Sequence, residues 1–389
     1  MERKSYISEI FSAIILLMAF GFFVLPVLFI MLISGSTYYI PLILVLVAVL
    51  YIFLVFLIFK VSLSKKNKKI FTGISLFAIL LASIQPIYEW IDNQVSTVNA
   101  EVDIYQYMPF VEKNQVVKLP VPATLQLEKS LPKMDGATAL YPLYSAIAQA
   151  VYPENHYDPY SSAVMVNQTH EAYSNLINGK VDMIFVAGPS DQQLARAEAN
   201  GIELKRTPIG KEAFVFFVNN KNEIDNLTLQ QIKEIYSGNI TNWSEVGGKN
   251  DSIRAFQRPQ DSGSQTALQR LMGDTPIMEA PSEDVATGMG GIINEVSQYK
   301  NYKNAIGYTF RYYSNEMVRN KEIKLLAIDG VEPTKETIRA NTYPITSEFY
   351  IVTSGEPEGN VRALIDWVLS DEGQALVEQA GYVPISSYK

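Results

Sequence analysis

Arg258, Asp261, Ser262, Gly263, Ser264 and Thr266 crowd into one short stretch, immediately ahead of the helix-patterned run Ala267–Met272. Small hydroxyl residues and a glycine at a helix start suit one kind of chemistry. The first N–H groups of a helix have no intrahelical partner, and the helix dipole favours negative charge there. Hydroxyls add donors, and glycine lets the main chain come close. A nearby arginine supplies a paired, charge-assisted set of hydrogen bonds to an oxyanion. An ordinary helix cap in a surface loop uses the same residue types, so spacing alone leaves both readings open.

Three further segments have this character. Asp135-Gly136-Ala137-Thr138 opens the helical pattern Leu140–Val151, with Ala137 and Thr138 as candidate donors. Asn167-Gln168-Thr169-His170 precedes Glu171–Asn178, with Thr169 as a natural cap and a candidate donor. Thr287-Gly288-Met289-Gly290-Gly291 precedes Ile292–Tyr299. Catalytic groups are scarce. The chain has two histidines, His156 and His170, and no cysteine. No Ser-His-Asp arrangement and no metal-ligand spacing follows from these positions, so an enzyme is the weakest reading. The dinucleotide-binding glycine pattern is absent. Gly247-Gly248-Lys249 lacks the upstream glycine and the following Ser or Thr of a nucleotide loop. No cofactor and no metal are expected, and the chain cannot power transport by itself.

The elements that would position these loops alternate. Val181–Val186 is a short apolar run that reads as a buried strand. Ser190-Asp191 starts a helix through about Asn200, stopped by Gly201. Ala213–Val218 is another strand, and Thr228 introduces the helix Leu229–Tyr236. Such alternation predicts an α/β domain with a mainly parallel sheet. Val117–Pro122 reads as an extended lead-in, because its prolines forbid helix.

Ahead of this domain lie three apolar blocks, Ile10–Ile33, Tyr38–Phe59 and Ile70–Ile91. Each has the ~20 residues a helix needs to cross ~30 Å of hydrocarbon. A cleaved signal peptide is the alternative for the first block, but that block is too long and no small-residue cleavage site follows it. Arg3 and Lys4 precede the first block, and Lys65, Lys66, Lys68 and Lys69 lie between the second and third, whereas Ser34–Thr37 carries no positive charge. Short Lys/Arg-rich loops stay in the cytoplasm. The N-terminus is then cytoplasmic and the large domain extracytoplasmic. With no cysteine for a lipid, the helices are the anchor. The expected layout is an anchor at 1–93, a linker at 94–119 and a binding domain at 120–389. The net charge of −8 includes 7 basic and 4 acidic residues up to Asp92, which leaves the remainder near −11. That excludes a basic nucleic-acid-binding face. It does not exclude a local anion pocket built from N–H groups.

Taken together and in order, these segments resemble the phosphate-binding proteins of bacterial phosphate ABC transporters, the PstS-like family. The resemblance covers most of residues 120–389. It is carried by Asp135-Gly-Ala-Thr-Ala-Leu-Tyr-Pro142, Asn178-Gly-Lys-Val-Asp182, Ile235-Tyr-Ser-Gly-Asn-Ile-Thr-Asn-Trp243 and Asp261-Ser-Gly-Ser-Gln-Thr266. Ala305-Ile-Gly-Tyr-Thr-Phe310, Tyr343-Pro-Ile345, and Asp371-Glu-Gly-Gln-Ala-Leu376 with Gly381-Tyr-Val-Pro-Ile385, within and after a C-terminal helix Val361–Val377, complete it. It implies a two-lobed periplasmic-binding-protein fold of type II, with lobe one at 120–207 and 346–389 and lobe two at 208–345. The chain would cross between lobes near Thr207–Phe214 and Thr342–Phe349. The resemblance also implies that Ala137, Thr138, Thr169, Arg258, Asp261, Ser262, Gly263, Ser264 and Thr266 hold phosphate or a related small oxyanion. Permease and ATPase subunits of a transporter would be the partners. The family's carboxylate that accepts the proton of hydrogen phosphate has no counterpart in Met183–Pro189; the next one is Asp191. A sensor or scaffold that binds a partner protein is the alternative, because three helices exceed what a simple tether requires.

Overall fold

The computed structural model describes residues 6–95, 97–99, 102–280, 298–319 and 321–385. The segment Thr287–Gly291 and most of Ile292–Tyr299 lie outside them. The chain divides into two compact units, Met1–Ser96 and Thr97–Lys389.

The first unit contains three helices, α1 (Ile7–Ile33), α2 (Ile40–Ile58) and α3 (Lys65–Asn93). All three are long and apolar enough to cross a membrane. Pro26 in α1 and Pro86 in α3 are of the kind that spanning helices tolerate. Tyr51 of α2 donates to the Ala13 carbonyl of α1 at 3.3 Å. Phe56 of α2 meets Phe71 of α3 edge to face. The third helix begins earlier than its apolar block. Ser64 accepts the Asn67 N–H at 3.2 Å, so the cap places Lys65, Lys66, Lys68 and Lys69 on the helix and not in a loop.

The second unit opens with β1 (Thr97–Asn99), which pairs antiparallel with β7 (Gln298–Lys300). The chain from Ile104 to Leu119 is more than a connection, because Tyr107 and Val116 are buried in the core. Then come β2 (Met134–Gly136), α4 (Tyr141–Val151), α5 (Gln168–Ile177), β3 (Met183–Val186) and α6 (Asp191–Ala199). The long strand β4 (Leu204–Asn219) leads to β5 (Asn226–Leu227), α7 (Leu229–Tyr236), β6 (Arg254–Ala255) and α8 (Gly263–Met272). After β7 follow β8 (Ala305–Phe310), β9 (Ile323–Leu325), β10 (Ala327–Ile328), α9 (Lys335–Arg339) and β11 (Thr346–Ser354). The unit closes with α10 (Gly359–Leu369), α11 (Asp371–Gln379) and β12 (Val383–Pro384).

Two expectations need correction. The main sheet, in the order β2-β3-β11-β4-β8-β6, is mixed. Only β2–β3 and β6–β8 within it are parallel, while β4 runs antiparallel to β11, β8, β9 and β12. The return of β11 beside β4 imposes this direction. The C-terminal helix is also two helices: Ser370 is extended and accepts the Gly373 N–H at 3.3 Å, which ends α10 and caps α11.

Strand β4 serves two hydrophobic cores. Ile209 packs with Met134, Tyr144, Phe185, Phe349 and Leu364 in the first. Ala213, Phe214, Val215, Phe216 and Val218 pack with Ile232, Leu268, Tyr308 and Tyr343 in the second. The chain passes from one core to the other between Ile209 and Ala213, and back between Tyr343 and Phe349. At the first passage β4 leaves β11, paired through Ala213↔Thr346, and takes up β8, paired through Phe214↔Phe310.

Candidate functional site

The parallel strands β2 and β3 end side by side, and the loops beyond their carboxyl ends carry most of the candidate residues. In α/β sheets ligands bind at such ends. Asp135 organises the first core's share. It is fully buried, and its carboxylate accepts the N–H groups of Gly136 (2.8 Å) and Asn167 (2.8 Å) and the side-chain amides of Asn167 (3.0 Å) and Asn175 (2.9 Å). One carboxylate thus ties the Ala137-Thr138 turn to the loop before Thr169. Each hydrogen bond to a charged acceptor contributes about 1.5–3 kcal/mol. Gly136 is required here: a Cβ would lie 2.5 Å from the Phe185 carbonyl oxygen. Ala137 donates to the same carbonyl at 2.9 Å. Tyr382 donates to the Ala139 carbonyl at 2.6 Å, so the Gly381-Tyr382 segment supports the turn from behind.

Thr169 is buried in the first turn of α5. Gln168 before it has φ +63°, a left-handed conformation that costs a non-glycine residue roughly 1–3 kcal/mol. The start of α8, from the second core, comes directly against it. A Cβ on Gly263 would sit 3.0 Å from Thr169 Oγ1, so the two helix starts are close enough that any larger residue would press on the Thr169 hydroxyl. Ser262 caps α8 by accepting the Gln265 N–H at 3.2 Å. Ser264 is half-buried in the first turn. Thr266, one turn in, is buried, and its hydroxyl makes no hydrogen bond among the described residues.

A second helix start meets α8. Ser190 caps α6 in a capping box with Gln193, and its hydroxyl donates to Asp261 Oδ1 at 2.6 Å. Gln193 donates to the Asp261 carbonyl at 3.3 Å, and the Arg270 guanidinium donates to the Pro189 carbonyl. Asp191 is exposed; the cap is Ser190 alone. The N-termini of α5, α6 and α8 therefore gather where the two cores face each other, and their unpaired N–H groups make that place favourable for an anion. Arg258 is held there by its main chain, whose N–H donates to Gln265 Oε1 (3.0 Å) and to the Tyr308 hydroxyl (2.9 Å).

Thr169 and Gly263 are thus brought together, the Ala137-Thr138 turn is tied to the loop before Thr169 through Asp135, and Ser190–Asp261, Gln193–Asp261 and Arg270–Pro189 add contacts across the same boundary. Sequence reasoning missed Ser190 as a partner of Asp261, and Arg270 altogether. The signal for Ser190 was its place at the end of a buried strand, level with the Ala137-Thr138 turn. His170 is exposed, 3.9 Å from Glu171.

This two-core α/β arrangement with helix starts at the boundary defines a binding-protein class. A family model for the PBP superfamily domain matches residues 126–372, and the chain belongs to that superfamily. The domain is thus a two-lobed PBP fold behind three apolar helices. Among curated relatives, the phosphate-binding protein PstS of Borreliella burgdorferi is 29% identical over 219 residues, 54% of this chain and 76% of that protein. The phosphate-binding protein PstS of Bacillus subtilis is 28% identical over 263 residues, 66% of this chain and 81% of that protein. A solved structure from Clostridium perfringens, described as a phosphate ABC transporter substrate-binding protein with bound phosphate, is 24% identical. It covers 65% of this chain and 98% of that one, with a TM-score of 0.49.

Proposed function

We propose that this protein is a membrane-anchored solute-binding protein that captures phosphate or a related small oxyanion for an ABC transporter. The gathering of three helix N-termini at the boundary between cores carries the reading. Fixed N–H groups there cost no reorganisation when an anion arrives, and the Thr266 hydroxyl is buried without a partner among the described residues. The names of the curated relatives support phosphate as the ligand.

In this reading the first core is lobe one, 120–207 with 346–389, and the second is lobe two, 208–345. The ligand lies between them, contacted by Ala137, Thr138 and Thr169 from one side and by Arg258 and Asp261–Thr266 from the other. Closure around the ligand creates the shape that a permease, powered by a separate ATPase, recognises. The distribution of Lys and Arg supports a cytoplasmic N-terminus and a binding domain outside a bacterial membrane.

The test is calorimetry on the full-length chain in lipid nanodiscs with phosphate, arsenate and sulfate. Phosphate binds, and Arg258→Ala weakens it by about 2–5 kcal/mol, as loss of one partner of a desolvated charge pair should. No heat and no thermal shift with any oxyanion would overturn the assignment.

A further inference from the structure

Glu212 lies in the passage of β4 between cores, one residue before the strand leaves β11 for β8. It is 6% exposed. Its carboxylate accepts the Ala213 N–H at 2.8 Å and the Tyr312 N–H at 3.3 Å, and so clasps β4 to the chain just past β8. Tyr312 stacks on Tyr382, with centroids 4.0 Å apart and planes at 17°. Tyr382 in turn donates to the Ala139 carbonyl behind Thr138. A continuous set of contacts therefore runs from this carboxyl to the candidate site. Neither the site nor its chemistry uses Glu212.

We propose that Glu212 is a proton-operated hinge element: its neutral form holds the two lobes closed, and its ionised form favours opening. The proposal rests on the two-lobed reading above. An ionised carboxylate is poorly accommodated where water is excluded, and opening the passage between lobes admits water to it. The groups facing it are few. Arg311, beside it at the end of β8, Lys335 of α9 and the N–H groups of Ala213 and Tyr312 favour its charged form, while the neutral phenols of Tyr312 and Tyr382 only wall it from water. Strand β11 puts only Ser347 opposite. Arg311 is itself buried and reaches Glu316 at 3.7 Å, so its charge is shared. Burial outweighs these attractions and pushes the carboxyl up to about 7, within the range met outside a cell.

The chain has no cysteine, so Lys180→Cys and Lys221→Cys, both at exposed positions, give one spin-labelled pair across the lobes of the full-length protein in nanodiscs. Distances are recorded without ligand from about pH 5.5 to about pH 8.5, bracketing the titration. The long-distance fraction grows about twofold or more as pH rises, with a midpoint near that of the carboxyl. Glu212→Gln stays short throughout. Arg311→Gln, which removes an attracting charge, moves the midpoint to higher pH. A wild-type distance distribution independent of pH overturns the proposal, as does an unchanged response in Glu212→Gln. Should Glu212→Gln not fold, an unmoved midpoint in Arg311→Gln overturns it. Because no oxyanion is added, these outcomes are separate from those of the phosphate titration.

Discussion

Ser190 and Asp261 belong to different cores, yet the Ser190 hydroxyl donates to the Asp261 carboxylate at 2.6 Å and both residues are buried. The bond joins the N-cap of α6 to the residue before the N-cap of α8. It exists only while the two cores are together. Its energy is therefore part of the closing energy and not of either core's own stability.

A double-mutant cycle isolates that bond. Ser190→Ala and Asp261→Asn each weaken phosphate binding through faster release. Their combined effect falls short of the sum by about 1–3 kcal/mol, as expected for two groups that share one charge-assisted hydrogen bond. Additive effects in stopped-flow dissociation would show that closure does not depend on it.

Thr266→Val separates binding from folding. The substitution removes a buried hydroxyl that has no partner among the described residues, so thermal stability is unchanged or rises. Phosphate affinity falls about tenfold or more if the hydroxyl meets the ligand, since a hydrogen bond to a charged group contributes about 1.5–3 kcal/mol. Calorimetry and thermal melts on the same sample give both numbers.

Asp135→Ala does the opposite. It leaves the amides of Asn167 and Asn175 without their acceptor inside the first core. Stability drops by about 3 kcal/mol or more in denaturant unfolding, because several buried donors lose one shared partner. Gly136→Ala, which would press on the Phe185 carbonyl, costs about 1–3 kcal/mol by overpacking.

Stability also depends on pH through Glu212. Burial holds its carboxyl at about 7 in the folded protein, above the ordinary 4.5, so between those values the folded state binds more protons than the unfolded one. Stability therefore falls as pH rises from about 4.5 through about 7, by at most about 3–4 kcal/mol. Glu212→Gln removes this slope. Urea midpoints measured at several pH values for both proteins check it.

Much of this was legible in the residues. The three apolar blocks exceed the length of a membrane crossing, and the helix starts at Thr228 and Ser190 follow from their capping residues. The Ala137-Thr138 turn and the Ser262–Thr266 helix start were readable as anion-type chemistry. That Thr169 would pack against Gly263 and Ser190 bond Asp261 was not, because such contacts depend on how β2, β3 and β6 are placed in one sheet. The sheet's direction was misread for a related reason. Local alternation of strand and helix implies parallel pairing, but β11 arrives from far along the chain and pairs antiparallel with β4. Glu212 gave no signal at all: in the sequence it is one charge within Lys211-Glu212-Ala213, and only tertiary contact buries it. The break at Ser370 was hidden because the apolar period continues almost unshifted across it.

Strand β4 is 16 residues long and contributes interior side chains to both halves of the binding domain. If one half melted alone, the other would be left with a ragged strand end and bare apolar surface. The two halves should therefore lose their structure in a single calorimetric step, with equal calorimetric and van't Hoff enthalpies. An oxyanion clamped between them would then protect the entire domain from heat and proteases, and not merely the walls of the cleft.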